Sequence, residues 1–325
     1  MTQTGSQGMG RMLVMELARV TEAAAVAASH LIGQGDEKAA DQAAVDAMRT
    51  ALNDLDIQGR VVIGEGERDE APMLYIGEEV GTGNGPAIDI ALDPLEGTTI
   101  TAKAMPNSLA VVAFAEKGNF LYSPDVYMDK IAVGGGLPEG VIDLDKSPAE
   151  NAQAIADAKG VPVNRITACV LDRPRHADII ASLREVGVRV KLIGDGDVAG
   201  VIDTTNPDTG VDMYIGQGGA PEGVLAAAAL RCIGGQMQAR LVFRNDDEKG
   251  RATRIGIEDL GRKYDLMDLA SGDVMFAATG VTQGSMLNGI RRNADGSVET
   301  HTIVMRSSSG TVREISARHT DESKF

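Results

Sequence analysis

The chain has 325 residues and carries 31 Lys and Arg against 47 Asp and Glu, a formal net charge of −16. That length suffices for two domains with cores of their own, and 43% hydrophobic with 24% charged residues excludes collagen-like and disordered classes. An acidic chain with 3% aromatics and no Trp lacks both the cationic surface and the stacking platforms that hold nucleic acid.

Residues 1–10 are rich in Gly and Gln without the apolar core of an export signal, and no apolar run approaches the roughly 20 residues of a membrane span. The expectation is a cytoplasmic protein with no membrane or nucleic-acid partner. Residues 11–32 are rich in Ala, Leu, Met and Glu with neither Gly nor Pro, which predicts a helix ending at Gly33-Gln34-Gly35. Asp36 is placed to cap a second helix reaching about Leu55. Short β-branched runs follow at 60–63, 87–92, 109–114 and 131–133, the last leading into Gly134-Gly135-Gly136. Two helices and then several strands predict an α+β first half.

A helical, Ala-rich stretch at 147–159 precedes an alternation of apolar runs at 166–171, 177–186, 188–193, 198 onward, 211–215 and 221–232. That alternation predicts βα units on a largely parallel, doubly wound sheet, so the fold class is α/β with a boundary near residue 160. Residues 300–305 and 312–315, around Ser307-Ser308-Ser309-Gly310, predict a hairpin within 300–319 that can pair with either half. The ends, 1–10 and 321–325, are expected to be disordered. Cys169 and Cys232 sit in apolar stretches without a CxxC pair and read as reduced core residues.

Three acidic constellations stand out. On the second helix Val45, Met48 and Leu52 follow Asp41 at four, seven and eleven residues, so the carboxylate falls on the apolar stripe, where it needs a salt-bridge partner, a hydrogen bond or a metal. At Val61-Val62-Ile63-Gly64-Glu65-Gly66-Glu67 an apolar strand runs into an acidic, glycine-flanked loop in which Glu65 can face a cation or simply water. At Asp93-Pro94-Leu95-Glu96-Gly97-Thr98 a strand ends in a proline-stiffened turn. Two carboxylates, the Leu95 carbonyl and a hydroxyl lie within six residues, a fitting shell for Mg²⁺ or Mn²⁺ in which Thr98 can orient a water.

This turn resembles the D-P-[IL]-[DE]-G-[ST] core of the lithium-sensitive, metal-dependent sugar and inositol phosphatases, with Glu65 as its upstream ligand. Gly35-Asp36 through Ala40-Asp41, Ala71-Pro72-Met73-Leu74-Tyr75, Arg173-Pro174-Arg175-His176, Gly194-Asp195-Gly196-Asp197-Val198-Ala199, Gly218-Gly219-Ala220-Pro221-Glu222-Gly223 and Ala278-Thr279-Gly280-Val281-Thr282 narrow the match. In order and spacing, from about residue 11 to about 319, they resemble the class II, GlpX-type fructose-1,6-bisphosphatases. One departure is Glu37, which stands between Asp36 and Lys38 where the family often has Lys directly.

The resemblance implies a layered sugar-phosphatase fold, with a metal-binding phosphatase domain at 1–160 and an α/β substrate-binding domain at 161–325. It implies hydrolysis of the C1 phosphate of fructose 1,6-bisphosphate by a homo-oligomer, dimer or tetramer. Two or more Mg²⁺ or Mn²⁺ ions would be held by Asp41, Glu65, Asp93, the Leu95 carbonyl, Glu96 and Glu222. Glu65, Asp93 and Thr98 would carry the chemistry, Thr98 by orienting the attacking water. Substrate would meet Glu96, Gly97 and Thr98 at the reacting end and Tyr127, Lys130, Arg173 and Arg175 at the distal phosphate. Asp195 and Asp197 would hold the sugar, and Gly218, Gly219 and Glu222 the metal-phosphate centre. Arg forks and a glycine-rich helix start suit phosphate, and carboxylates suit sugar hydroxyls. Taken alone, Tyr127 and Lys130 read as an ordinary surface turn.

One other substrate of the same end chemistry and two rival classes stay open. Sedoheptulose 1,7-bisphosphate has a like reacting end, and a non-catalytic metal- or sugar-phosphate-binding module would keep the ligands without turnover. Gly194-x-Gly196-x-x-Ala199 also fits the dinucleotide fingerprint of a nicotinamide-dependent oxidoreductase, although Asp195 and Asp197 would face a pyrophosphate with like charge. His30, His176, His301 and His319 are scattered, and His176 reads as a helix-start residue beside Arg175.

Overall fold

A computed structural model describes residues 9–66 and 73–325. Its helices in chain order are α1 (Leu13–Ser29), α2 (Glu37–Asn53), α3 (Thr98–Ala102), α4 (Pro148–Lys159), α5 (Ala177–Glu185), α6 (Asp197–Ile202), α7 (Ala220–Ile233), α8 (Asp246–Arg254) and α9 (Leu266–Leu269). The strands are β1 (Gln58–Ile63), β2 (Glu79–Val80), β3 (Ala87–Glu96), β4 (Leu109–Glu116), β5 (Tyr127–Gly134), β6 (Thr167–Leu171) and β7 (Arg189–Ile193). They continue with β8 (Met213–Gly219), β9 (Gly235–Val242), β10 (Lys263–Asp265), β11 (Val274–Gly280), β12 (Arg291–Arg292), β13 (Val298–Arg306) and β14 (Thr311–His319). No described helix is long and apolar enough to cross a membrane.

The α/β class holds, but the chain does not divide near residue 160. Its compact units are residues 9–120 with 271–325, and residues 121–270. Strand pairing is the reason: β4 pairs with β3 and β11, whereas β5 pairs with β8 and β9. The chain therefore leaves the first unit after β4 and returns to it with β11. The hairpin β13–β14 pairs with β11, which settles its place in the first unit.

In the first unit the sheet runs β12-β13-β11-β4-β3-β1-β2, with β14 on β13. Helix α1 packs on α2 and on β11, β13 and β4, and α2 packs on β3 and α3. The apolar stripes do this: Leu17, Val20 and Ala24 of α1 and Ala44, Met48 and Leu52 of α2 join Ile88, Ile90, Val112 and Phe114 in one core. Asp36 caps α2 as expected, its side chain accepting from the Ala39 amide at 2.9 Å.

Met9 and residues 321–325 make defined contacts, against the disorder that their composition predicts. Met9 is buried and its carbonyl accepts from Arg306 Nη2 at 2.7 Å. At the other end Asp321 caps a short 3-10 turn, Arg292 donates to Glu322 at 2.5 Å, and Phe325 stands edge-on to His319 with centroids 4.9 Å apart. Residues 1–8 lie outside the described residues.

The second unit has the sheet order β10-β9-β5-β8-β6-β7. Here too the expectation needs correction: β7, β6 and β8 are parallel, but β5, β9 and β10 run antiparallel, so the sheet is half rather than largely parallel. Strands β9 and β10 went unread, although the alternate residues Met237, Ala239 and Leu241 of β9 are buried in a period of two. Ile131, Val133, Ile155, Ile166, Val170, Leu183 and Met213 form the core of this unit. Cys169 and Cys232 are buried and form no disulfide, and burial pushes the Cys169 thiol up to about 12.

Candidate functional site

In the first unit, β1 and β3 are parallel neighbours with Ile63 opposite Ala91, so Glu65, just past the end of β1, and Asp93, still within β3, each follow the last paired position by two residues. Position 64 admits only glycine, because a Cβ there would lie 2.1 Å from the Leu74 carbonyl oxygen. That carbonyl accepts the Glu65 amide at 3.0 Å, and buried Leu74 holds a left-handed backbone, φ 53°, an uncommon state for a branched side chain. Glu67 to Glu70 and Ala71-Pro72 lie outside the described residues.

The strand does not end at Asp93 as expected: β3 runs on to Glu96 through an irregularity built from its own sequence. Asp93 Oδ1 accepts from the Leu95 amide at 3.0 Å, and the register with β4 slips between Asp93 and Glu96, where Pro94 has no amide to give the ladder. Leu95 anchors the turn in the core while Glu96 is itself buried. Gly97 then adopts the left-handed conformation that a Cβ would resist, φ 89°, and Thr98 opens α3, half-buried. Beneath the turn the hydroxyls of Thr101 and Ser108 stand 2.5 Å apart and reach the carbonyls of Gly97 and Glu96 at 3.0 and 3.1 Å. Thr282 Oγ1 accepts the Ser108 amide at 3.0 Å. The sequence reading missed this hydroxyl truss, which no local spacing announces.

Asp41 lies on the face of α2 that carries Val45 and Met48, half-buried, and desolvation raises its carboxyl above the ordinary range. The elements bearing Asp41, Asp93, Glu96 and Thr98 thus pack together. Among the described residues, however, no three His, Cys, Asp or Glu side chains stand close enough to enclose an ion.

In the second unit, the carboxyl ends of β6, β7 and β8, the start of β5 and the end of β9 lie along one edge of the sheet. Tyr127 is paired with Gly219 on one side and Val242 on the other. Lys130 is no surface residue: it is 1% exposed, and its ammonium is hydrogen-bonded to Asp197 and donates to the Gly219 carbonyl at 2.9 Å. Tyr214 Oη reaches the same Asp197 oxygen at 3.5 Å. The glycines make this possible. A Cβ at Gly218 would lie 2.1 Å from Asp197 Oδ2, one at Gly219 1.9 Å from Glu222 Oε2, and one at Gly223 2.4 Å from Met128 Sδ.

Glu222 lies in the first turn of α7, and its Oε2 is sealed from solvent without a hydrogen-bond partner. Desolvation, with the Asp197 charge adding to it and Lys130 opposing, pushes its carboxyl up to about 7.

The Arg173-Pro174-Arg175 loop follows β6. Arg173 stands 4.0 Å from Asp195, and Arg175 donates through Nε and Nη2 to the Gln217 carbonyl at 3.1 and 2.8 Å. His176 is fully buried. Its Nε2 accepts from the Gln217 amide at 2.8 Å, so the proton sits on Nδ1 and goes to the Leu171 carbonyl at 2.7 Å. Both ring nitrogens are consumed, which makes His176 a bracket between the β6 and β8 loops. The dinucleotide-like glycines lead into α6, a helix of six residues whose first, Asp197, is held by Lys130. His319 lies instead in the first unit, 3.0 Å from Thr300 Oγ1 and 3.8 Å from buried Glu22.

A second arginine, which sequence reasoning did not single out, shares the Tyr127 ring with Arg175. The guanidinium carbons of Arg175 and Arg244 lie over the Tyr127 ring, 4.9 and 5.0 Å from its centroid. Recognising β9 would have put Arg244 just past a strand end beside Tyr127.

The family model described as bacterial fructose-1,6-bisphosphatase, glpX-encoded, matches residues 11–319. Fructose-1,6-bisphosphatase 1 class 2 of Escherichia coli K12 is 47% identical over 96% of both chains. The same identity and coverage hold for fructose-1,6-bisphosphatase class 2 of Escherichia coli O6:H1 and of Shigella flexneri.

Proposed function

Because the chain belongs to the glpX-encoded bacterial fructose-1,6-bisphosphatase family, we propose that it hydrolyses the C1 phosphate of fructose 1,6-bisphosphate, releasing fructose 6-phosphate and phosphate. The observation that carries this reading is the Asp93–Thr98 turn, locked from below by Thr101 and Ser108.

The donor set fits a hard divalent cation, Mg²⁺ or Mn²⁺. Each unit offers oxygen donors of this kind, the desolvated carboxyl of Asp41 in the first and the buried, unbonded Oε2 of Glu222 in the second. In the first unit the metal-holding groups are Asp41, Glu65, Asp93, the Leu95 carbonyl and Glu96; in the second, Glu222 has the same role. Bound metal supplies a lowered pKa for the attacking water and neutralises phosphate charge.

The chain's own residues do the rest. Thr98, at the start of α3, orients the water for in-line attack. Gly97, Gly218 and Gly219 let the backbone come close to phosphate oxygens, and Asp195 and Asp197 hold sugar hydroxyls. Tyr127, Arg173 and Arg175 hold the distal phosphate. Lys130 acts on Asp197 and the Gly219 carbonyl, a positioning residue at the base of that loop. A homo-oligomer working in the cytoplasm belongs to the same reading.

The test is phosphate release by metal-stripped protein, with and without Mg²⁺ or Mn²⁺, from fructose 1,6-bisphosphate, sedoheptulose 1,7-bisphosphate and inositol 1-phosphate. The expected result is metal-dependent release from the ketose bisphosphates alone; no release from any of them sinks the reading. Thr98→Ala should lower kcat by about 10²-fold or more with KM little changed.

A further inference from the structure

Two guanidinium groups share the Tyr127 ring, and each is fixed in the same way. Arg175 spends Nε and Nη2 on the Gln217 carbonyl. Arg244 spends Nε and Nη2 on Glu248 Oε1, at 2.7 and 2.5 Å, and Glu248 is itself buried and bound to the Arg244 amide at 2.6 Å. Both arginines therefore keep Nη1 free of any partner among the described residues while their stems are held. Anchored forks lose little side-chain freedom when an anion arrives, and the electron-rich faces of the Tyr127 ring hold each cation in place over it. An exposed ion pair that served only to tie down a surface helix would contribute little, and nothing in it would require the cation to stand over Tyr127.

From this we propose that Arg244 is a specificity-determining residue. With Arg175, over Tyr127, it binds the distal phosphate and so favours sugar bisphosphates over monophosphates. Glu248 is its positioning residue. The inference deepens the bisphosphatase reading above and rests on it for the identity of the substrate.

The experiment compares Arg244→Met and Arg244→Lys with the wild-type chain on fructose 1,6-bisphosphate and on fructose 1-phosphate, which lacks the distal group. Arg244→Met should raise KM for the bisphosphate about tenfold, the loss of a charge-assisted hydrogen bond, with kcat within about twofold. Its kinetics on fructose 1-phosphate should match the wild type, and Arg244→Lys should recover part of the loss. An equal loss on both substrates, or an unchanged KM on the bisphosphate, would overturn the proposal.

A second measurement is calorimetric titration of the metal-stripped full chain with fructose 6-phosphate, in which Arg244→Met should weaken binding about tenfold. Equal affinity in variant and wild type, or no binding by the wild type, overturns the Arg244 assignment. Arg244-dependent binding by a chain that hydrolyses no bisphosphate would instead sink the proposed function and leave this inference standing.

Discussion

A methyl group at position 219 has nowhere to go, since it would fall 1.9 Å from Glu222 Oε2. The backbone there, φ −64° and ψ 146°, suits any residue, so the objection comes from the carboxylate alone. Gly219→Ala should therefore keep the melting temperature within a few degrees while swinging Glu222 aside, raising the metal concentration needed for half-maximal activity by roughly tenfold or more. A metal response like the wild type's would take Glu222 out of the metal set. Gly64→Ala is different in kind, because its Cβ meets the Leu74 backbone oxygen at 2.1 Å and no side-chain rotation relieves that. From sequence the paired glycines read as room for phosphate. In the folded unit they are also room for Asp197, Lys130 and Glu222, contacts that come from β5, α6 and α7 and leave no local trace. Lys130 shows the same limit: its neighbours in sequence resemble a surface turn, and only pairing with β8 and β9 buries it.

At the scale of elements, His176 ties the end of β6 to the end of β8, and the tie is sensitive to acid. Burial holds its imidazole below the ordinary value of 6.5, with the neutral ring satisfied at both nitrogens. Below about pH 6.5 the unfolded chain takes up a proton that the fold resists, so this contribution is present above that pH and is lost as pH falls toward the lowered folded value. His176→Asn should be less stable than the wild type at pH 8 and show a shallower fall in melting temperature between pH 7 and pH 5. Parallel curves would mean that His176 does not titrate with unfolding. Most elements were legible: α1, α2, α4, α5, β1, β3 and β4 follow the expected runs because propensity, capping and periodicity agree in them. Strand β9 was not, as its alternation is interleaved with Gln and Arg, and β11 is buried along its whole length, which erases alternation.

For the whole molecule, a chain of net charge −16 that gathers carboxylates at strand ends should gain stability from divalent cations. Ligand bound only by the fold stabilises by about 2.7 kcal/mol at a hundredfold excess over Kd, so Mn²⁺ should raise the melting temperature of metal-stripped protein by several degrees, and Asp41→Asn should blunt the rise. An unchanged melting temperature would argue that the carboxylates serve only the fold. The sequence by itself determined the fold class, the acidic strand-end motifs and the family, because hydrophobic period, turn chemistry and motif order are local and survive without coordinates. Only the tertiary structure decided where the chain divides, that the hairpin at 298–319 joins the first unit, and that Lys130 is spent on Asp197. It alone brought Arg244 onto Tyr127. Each of these depends on strand pairing between segments tens to hundreds of residues apart, and that pairing is set by which buried faces fit together rather than by any pattern a single segment carries.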